Sequence, residues 1–212
     1  MRGSFTNFGL YDRRWYAAHA AAWYPVGWAD GTAWYATNWD SLGILMDFYG
    51  TAPIYFDYGN TIIYQDGNVF FNGHEEGTAQ AYSDQAFALA ATGATAQAPK
   101  DQEWLPLGVF ALCRPDDSRS DTTVQLAVNR EGILRGNYAD ASKNETALVH
   151  GSVDKKTQRV AFTVGEDKAT VLETGLYNLT KPSAQALIHF GKEQTEQWLL
   201  VGVQKPVDPN SY

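Results

Sequence analysis

The chain has 212 residues, of which 44% are hydrophobic and 19% charged, and its formal net charge is -8. No apolar run approaches the roughly 20 residues that cross a bilayer, so the composition excludes membrane insertion by a spanning helix. The excess of acidic groups repels phosphate backbones, which excludes nucleic acid as a partner, and the single Cys113 has no companion for a disulfide or a zinc site.

Aromatic residues are unevenly distributed along the chain. Residues 1–64 hold 17 of the 29 Phe, Trp and Tyr residues, whereas Gly93–Glu103 is small, polar and without periodicity, as connectors are. We therefore predict an aromatic-rich α/β N-terminal segment at 1–93, a connector at 94–103, a β domain at 104–203 and a tail at 204–212.

Two helical regions are predicted early in the N-terminal segment. Asp12–Trp23 is rich in Ala, begins with a good capping residue and stops before Pro25, which favours a helix capped by Asp12. The stretch 32–49 has room for one or two shorter helices.

A hairpin and a longer helix are predicted next. Ile62–Phe71 contains two β-prone runs around Asp-Gly, a strong signal for a tight hairpin turn. Thr78–Ala91 carries an apolar stripe at helical spacing, with Thr78 as the cap and Gly93 beyond the end.

The second half of the chain alternates apolar and polar residues in short segments separated by turn residues, which is typical of an antiparallel sheet. About seven or eight strands fit into 104–203, with short connections that pair sequential neighbours. A long meander has exposed edges unless it closes, so we predict a mainly β fold with a barrel-like C-terminal meander; a two-sheet sandwich is the alternative. The residues expected on the inner face are Val124, Leu126, Val128, Leu134, Gly136, Tyr138, Val149, Gly151, Val153, Val160, Phe162 and Val164.

Six stretches resemble a family of planctomycete bacterial proteins whose members often carry names such as mu-protocadherin or cell-surface protein. They are Pro53–Gly73, Trp104–Leu112, Leu126–Tyr138, Gly151–Gly165, Glu173–Lys181 and His189–Val201. The resemblance implies a location in the cell envelope or on the extracellular surface. It does not imply a cadherin, because the repeated acidic motifs that bind Ca²⁺ between cadherin domains do not occur. Residues 1–10 lack an apolar core, so we expect no signal peptide in this stretch.

Catalytic and metal-binding motifs do not occur in the sequence. There is no G-x-S-x-G, H-E-x-x-H or phosphate-binding loop, and the four His residues are widely spaced. We therefore predict no catalytic residues, no metal and no cofactor. The densest polar cluster, His74-Glu75-Glu76, suits either a cation or, as we favour, a solvated turn before a helix.

Glu173 interrupts an apolar strand and is the most distinctive single carboxylate. If it points into the barrel, it could contact a ligand together with Tyr177. If Leu172, Thr174 and Leu176 face inward instead, Glu173 and Tyr177 face solvent, and we favour this second arrangement.

The early aromatic residues are the best candidates for an interaction surface, because Trp and Tyr supply large, rigid contact areas with a polar group. The alternative is a small second core or a layer packed over the barrel. The candidate residues are Trp15, Tyr16, Trp23, Tyr24, Trp28, Trp34, Tyr35 and Trp39.

Three functional hypotheses follow. The first is a non-enzymatic envelope or surface module that acts through protein–protein contacts, including contacts between copies of itself. The second is a barrel that binds a small ligand or a carbohydrate, since eight-stranded barrels can enclose one such molecule. Apolar residues at most inward positions suggest a filled interior and count against it. An enzyme is the third.

Overall fold

The computed structural model describes residues 9–48, 50–191 and 194–206. Three helices and a small antiparallel sheet, in the order β1-β2-β3, precede the barrel. These elements are α1 (Arg13–Ala18), α2 (Trp39–Met46), β1 (Ile62–Gln65), β2 (Asn68–Phe71), β3 (His74–Thr78) and α3 (Ala79–Thr95). A 3₁₀ turn lies at Thr32–Trp34, between α1 and α2. Among the described residues, no helix is both long and apolar enough to cross a membrane.

Eight antiparallel strands then form a closed barrel in which every strand pairs with its neighbours in the chain. The last strand pairs with the first, with Val201 opposite Ala111, and this pairing closes the barrel. A second 3₁₀ turn lies at Asn178–Thr180. The strands are β4 (Trp104–Cys113), β5 (Thr122–Asn129), β6 (Ile133–Asp140), β7 (Glu145–Val153), β8 (Arg159–Val164), β9 (Thr170–Gly175), β10 (Ser183–Phe190) and β11 (Gln194–Val203).

The predicted meander barrel is confirmed, and so is the side of the wall on which its apolar residues lie. Residues such as Val124, Leu126, Leu134 and Phe162 are fully buried in one interior cluster. Because side chains alternate across a strand, this inner set places the intervening residues on the outer face of the wall.

Helix α2 closes one end of the barrel. Its buried residues Leu42, Leu45 and Met46 belong to the same cluster as the barrel interior, together with Phe48 just beyond the helix. The carbonyl of Leu45 accepts a hydrogen bond from Arg130 Nε (3.2 Å), on the connection between β5 and β6. We call Leu42, Leu45, Met46 and Phe48 the plug.

Other described parts of the N-terminal segment lie against the outer face of the wall and against connections between its strands, where side-chain amides bind their backbone. Asn137 accepts from the Trp23 amide (2.7 Å) and donates to the Trp23 carbonyl (2.8 Å). Asn178 pairs in the same two-way manner with Phe56, at 2.9 and 2.7 Å. Gln158 accepts from the Ile54 amide at 2.7 Å. Buried backbone groups need such partners, so these amides permit an irregular segment to cover a sheet.

The predicted hairpin is confirmed as β1 and β2, and the predicted Asp12 cap is confirmed by its hydrogen bond from the Trp15 amide (2.7 Å). The helix after Asp12 is shorter than expected, because it ends at Ala18 and the chain then crosses the wall at Trp23. Tertiary hydrogen bonds at Trp23 outweigh the helical preference of the Ala-rich sequence.

Two other boundaries were predicted wrongly. Helix α3 begins after Thr78 as expected but continues to Thr95, so Gly93 lies inside it. A Cβ atom at Gly93 would lie 1.9 Å from the backbone of Gly151, which shows that the glycine permits direct contact between helix and wall. His74-Glu75-Glu76 is solvated as predicted, but it belongs to strand β3 and not to a turn.

Most of residues 1–10 and of the predicted tail at 204–212 lie outside the described residues.

Candidate functional site

The end of the barrel opposite the plug holds a cavity of about 720 Å³. Residues from the ends of seven strands and from two connections line it: Leu112, Arg114, Tyr138, Glu145, Thr146, Ala147, Val164, Asp167, Thr170, Leu172, Ile188, Phe190 and Trp198. We call this set the mouth.

The wall of the mouth is mainly apolar. Leu172 and Ile188 belong to the buried interior cluster, and Leu112, Tyr138 and Trp198 pack against that cluster while remaining only half-buried. The cavity is therefore continuous with the core of the barrel on one side and with the surface on the other. Such a site can take an apolar group without further rearrangement.

Arg114 and Trp198 form a charged edge on one side of the mouth. The guanidinium lies 5.0 Å from the centre of the Trp198 ring, and its Nη2 is 3.7 Å from Glu196 Oε2. The indole Nε1 also donates to Glu196 Oε2 (3.1 Å). Glu196 therefore holds both the Arg114 guanidinium and the indole in place.

Two carboxylates lie across the mouth from Arg114, at the ends of β7, β8 and β9. Asp167 Oδ1 accepts from the Ala169 amide (2.8 Å). Hydrogen bonds from Thr170 and from this amide hold the pKa of Asp167 below its ordinary value, so it stays ionised. Glu145 is the first residue of β7, and it lines the same cavity.

The connections at the mouth are acidic as a group. Residues 114–121, 140–145 and 165–169 together contain seven acidic and four basic residues. At the plug end, 130–132, 154–158 and 176–182 contain two acidic and four basic residues. These connections at the open end therefore carry more acidic than basic residues.

Glu173 lies outside the lumen, as the favoured alternation predicted. The expectation that it faces solvent is wrong, since its exposed fraction is 0%. Arg159 reaches it through two hydrogen bonds, Nε to Oε1 (3.2 Å) and Nη2 to Oε2 (3.0 Å). His189 Nε2 donates to Oε2 (2.9 Å), and the Tyr58 hydroxyl is 3.4 Å from Oε1. Helix α3 covers the group, with the ring of Tyr82 3.7 Å from the guanidinium.

The carboxylate of Glu173 remains charged in this buried setting. Burial alone would raise its pKa, but the charge of Arg159 and the hydrogen bond from His189 outweigh burial and hold the pKa below its ordinary value. The buried guanidinium of Arg159 has hydrogen-bond acceptors besides Glu173, because it also donates to Gln85 Oε1 (2.8 Å) and to the Tyr82 carbonyl (3.0 Å). The partners of Glu173 are therefore internal, and they join the wall to the N-terminal segment.

Tyr177, the other residue proposed to contact a ligand, lies at the plug end. It packs edge-on against Trp39 at 5.6 Å, and Lys181 donates to its hydroxyl. The structure therefore does not bring Glu173 and Tyr177 together at the cavity.

The eight aromatic candidates for an interaction surface lie mainly between the N-terminal segment and the barrel. Trp23 and Trp34 are buried, and Trp15, Tyr16, Tyr24, Trp28 and Trp39 are half-buried. Tyr35 is 64% exposed. The alternative of a layer packed over the barrel therefore describes most of the eight, and contact with a partner stays a prediction.

No family model, curated protein or solved structure matches this chain. The resemblance to the planctomycete family, and the envelope location that it implies, stay predictions.

The mouth residues were not predicted as a site. The signal was present in part, because Tyr138, Val164 and Leu172 were expected to face inward. Their meeting with Arg114, Glu145 and Trp198 depends on the register of the closed barrel, which places residues from distant parts of the chain around one opening.

Proposed function

We propose that this protein is a non-enzymatic β-barrel that binds a small, largely apolar ligand in the mouth. The observation that carries the proposal is the asymmetry of the lumen: the plug fills one end, and a cavity of about 720 Å³ occupies the other. Ligand sites of this kind usually have volumes of about 300–1,000 Å³ and apolar walls with a few polar groups.

The placement of the ionisable groups favours binding over catalysis. Arg159, Glu173 and His189 are buried and strongly coupled, but they lie on the outer face of the wall and bind one another. An active site needs such groups around the place where a substrate can sit. Here the cavity has an apolar wall and charged residues at its edge, as binding sites do.

The test is the binding of the neutral fluorescent probe N-phenyl-1-naphthylamine, whose emission rises in apolar sites. We expect saturable, one-to-one binding by the whole chain. Ala147 lines the cavity, so Ala147→Trp fills it and should abolish the rise. The matched control is Ala88→Trp, at an exposed position on α3. Absence of probe binding by the unmodified chain, or equal loss in both variants, would contradict the proposal.

Self-association through the N-terminal segment is a second candidate, favoured by the exposed apolar side chains that the segment retains. Tyr35 and Ile44 are 64% and 63% exposed. Mass measured by light scattering over a concentration series tests this candidate. A concentration-dependent oligomer that Tyr35→Ala weakens would support a surface module acting through copies of itself, and a constant monomer mass would exclude self-assembly.

A further inference from the structure

The mouth combines an apolar interior with an acidic edge, and this combination restricts the ligand further than size does. Leu112, Leu172 and Ile188 offer contacts to a hydrocarbon body and no hydrogen bonds to a polar one. A ligand that fills this part must therefore be apolar there, and its polar group must lie at the edge.

The charges at the edge favour a positive group on that ligand. Among the described residues that line the mouth, Arg114 is the basic one, and it is already paired with Glu196 at 3.7 Å. Lys143, on the connection from β6 to β7, is paired with Asp140 at 3.3 Å. Glu145 and Asp167 line the opposite side of the cavity. An anion entering here would approach both carboxylates, whereas a cation would be attracted by them.

The aromatic groups of the mouth are compatible with a cation. The Trp198 ring already carries the guanidinium of Arg114 at 5.0 Å, which shows that an aromatic face at this opening accommodates a positive charge. Tyr138 and Phe190 add two more rings to the same opening. Alkylammonium groups bind aromatic surfaces by the same attraction between a positive charge and a ring face.

We propose that the mouth selects amphipathic cations, in which an apolar body enters the barrel and an amine or quaternary ammonium group lies between the rings and the carboxylates of Glu145 and Asp167. This specificity rests on the proposed function of the same cavity. It adds the chemical class of the ligand.

Three probes with the same ten-carbon chain separate charge from apolar binding: decyltrimethylammonium, decanoate and decanol. Each is titrated against the whole chain, below its micelle concentration, by displacement of N-phenyl-1-naphthylamine. We expect decyltrimethylammonium to bind about tenfold more tightly than decanoate, with decanol between them. The preference should shrink as salt is added, because the carboxylates lie at the surface.

Two variants test whether the preference for decyltrimethylammonium over decanoate arises at the mouth. Glu145→Gln should reduce the advantage of decyltrimethylammonium over decanoate by about threefold and leave decanol unchanged. Glu131→Gln, at an exposed position of the plug end, should change none of the three affinities.

The outcomes separate this inference from the proposed function. Equal affinities for the cation and the anion, or tighter binding of decanoate, would overturn the cationic specificity while decanol binding still supported an apolar site. Failure of all three probes to bind would overturn both.

Discussion

The outer face and plug end of the barrel differ from its mouth in what the described residues place against them. The N-terminal segment supplies the plug at one end and lies over much of the outer face, where its backbone and side chains satisfy buried polar groups of the wall. At the mouth, the described residues leave a cavity with an apolar wall. Within the described residues, the N-terminal segment thus covers the plug end and much of the outer face, and the cavity lies at the end that we assign to a ligand.

The two regions also differ in how their carboxylates are paired. On the covered outer face, Glu173 is buried and held by Arg159 and His189. At the mouth, Glu145 and Asp167 belong to a surface with more acidic than basic residues. Buried charges that pair within the fold leave an unpaired charge behind when one partner is removed, whereas carboxylates at the edge of a cavity can act on what enters it.

The largest expected effect is at Glu173. Glu173→Gln leaves the buried guanidinium of Arg159 without a matching charge and should lower the free energy of unfolding by about 3–5 kcal/mol. Chemical denaturation measures the loss. Glu131→Gln is the control for removal of an exposed carboxylate and should change stability by less than about 0.5 kcal/mol. Equal effects of the two changes would show that the buried network contributes nothing.

Removal of part of the plug should have the next largest effect. Leu42 is fully buried at the closed end, so Leu42→Ala should lower the free energy of unfolding by about 2–5 kcal/mol. Ile44→Ala, on the same helix but at a 63% exposed position, should cost little. If both substitutions cost the same, α2 does not close the barrel as described.

Acid should lower the free energy of unfolding in part through Glu173, on the covered outer face. The pKa of Glu173 is lower in the folded chain than its ordinary value of 4.5, so the stabilisation that it provides is fully present above that value. The stabilisation is lost as the pH falls through the lower folded pKa. Denaturation at a series of pH values should therefore show a smaller loss in acid for Glu173→Gln than for the unmodified chain, and an unchanged loss would contradict this role of Glu173.

At the mouth, the expected effect on stability is the smallest and the expected effect on binding is the largest. Trp198 is half-buried and lines the cavity. Trp198→Ala should lower the free energy of unfolding by about 1 kcal/mol. The same change should weaken binding of N-phenyl-1-naphthylamine by roughly tenfold. A large loss of stability with unchanged binding would mean that Trp198 completes the core and not a ligand site.

The sequence was informative where a local pattern decides the structure. Alternation placed Leu126, Leu134 and Phe162 inside the barrel, and Asp-Gly located the hairpin of β1 and β2. Alternation also favoured a position of Glu173 outside the lumen. It could not show that Glu173 is buried, because its cover is formed by α3 and by Tyr58, which is 115 residues away along the chain.

Contacts between residues that are distant in the chain also explain the other differences between the predictions and the structure. Gly93 resembles a helix terminator, and only its contact with Gly151 shows that it is a packing residue within the helix. The mouth depends on register around a closed barrel, so residues as distant as Arg114 and Trp198 meet only after closure. The aromatic density of the N-terminal segment indicated extensive contact but not whether the partner was the barrel or another protein.

The most direct test of ligand binding at the open end is a pair of amide correlation spectra, recorded by nuclear magnetic resonance with and without decanol. Binding in the mouth predicts that the resonances of Ala147, Ile188 and the Trp198 indole shift and saturate together, while those of Leu42 and Leu45 in the plug do not move. Shifts centred on the plug, or no saturable shift at the mouth, would contradict it.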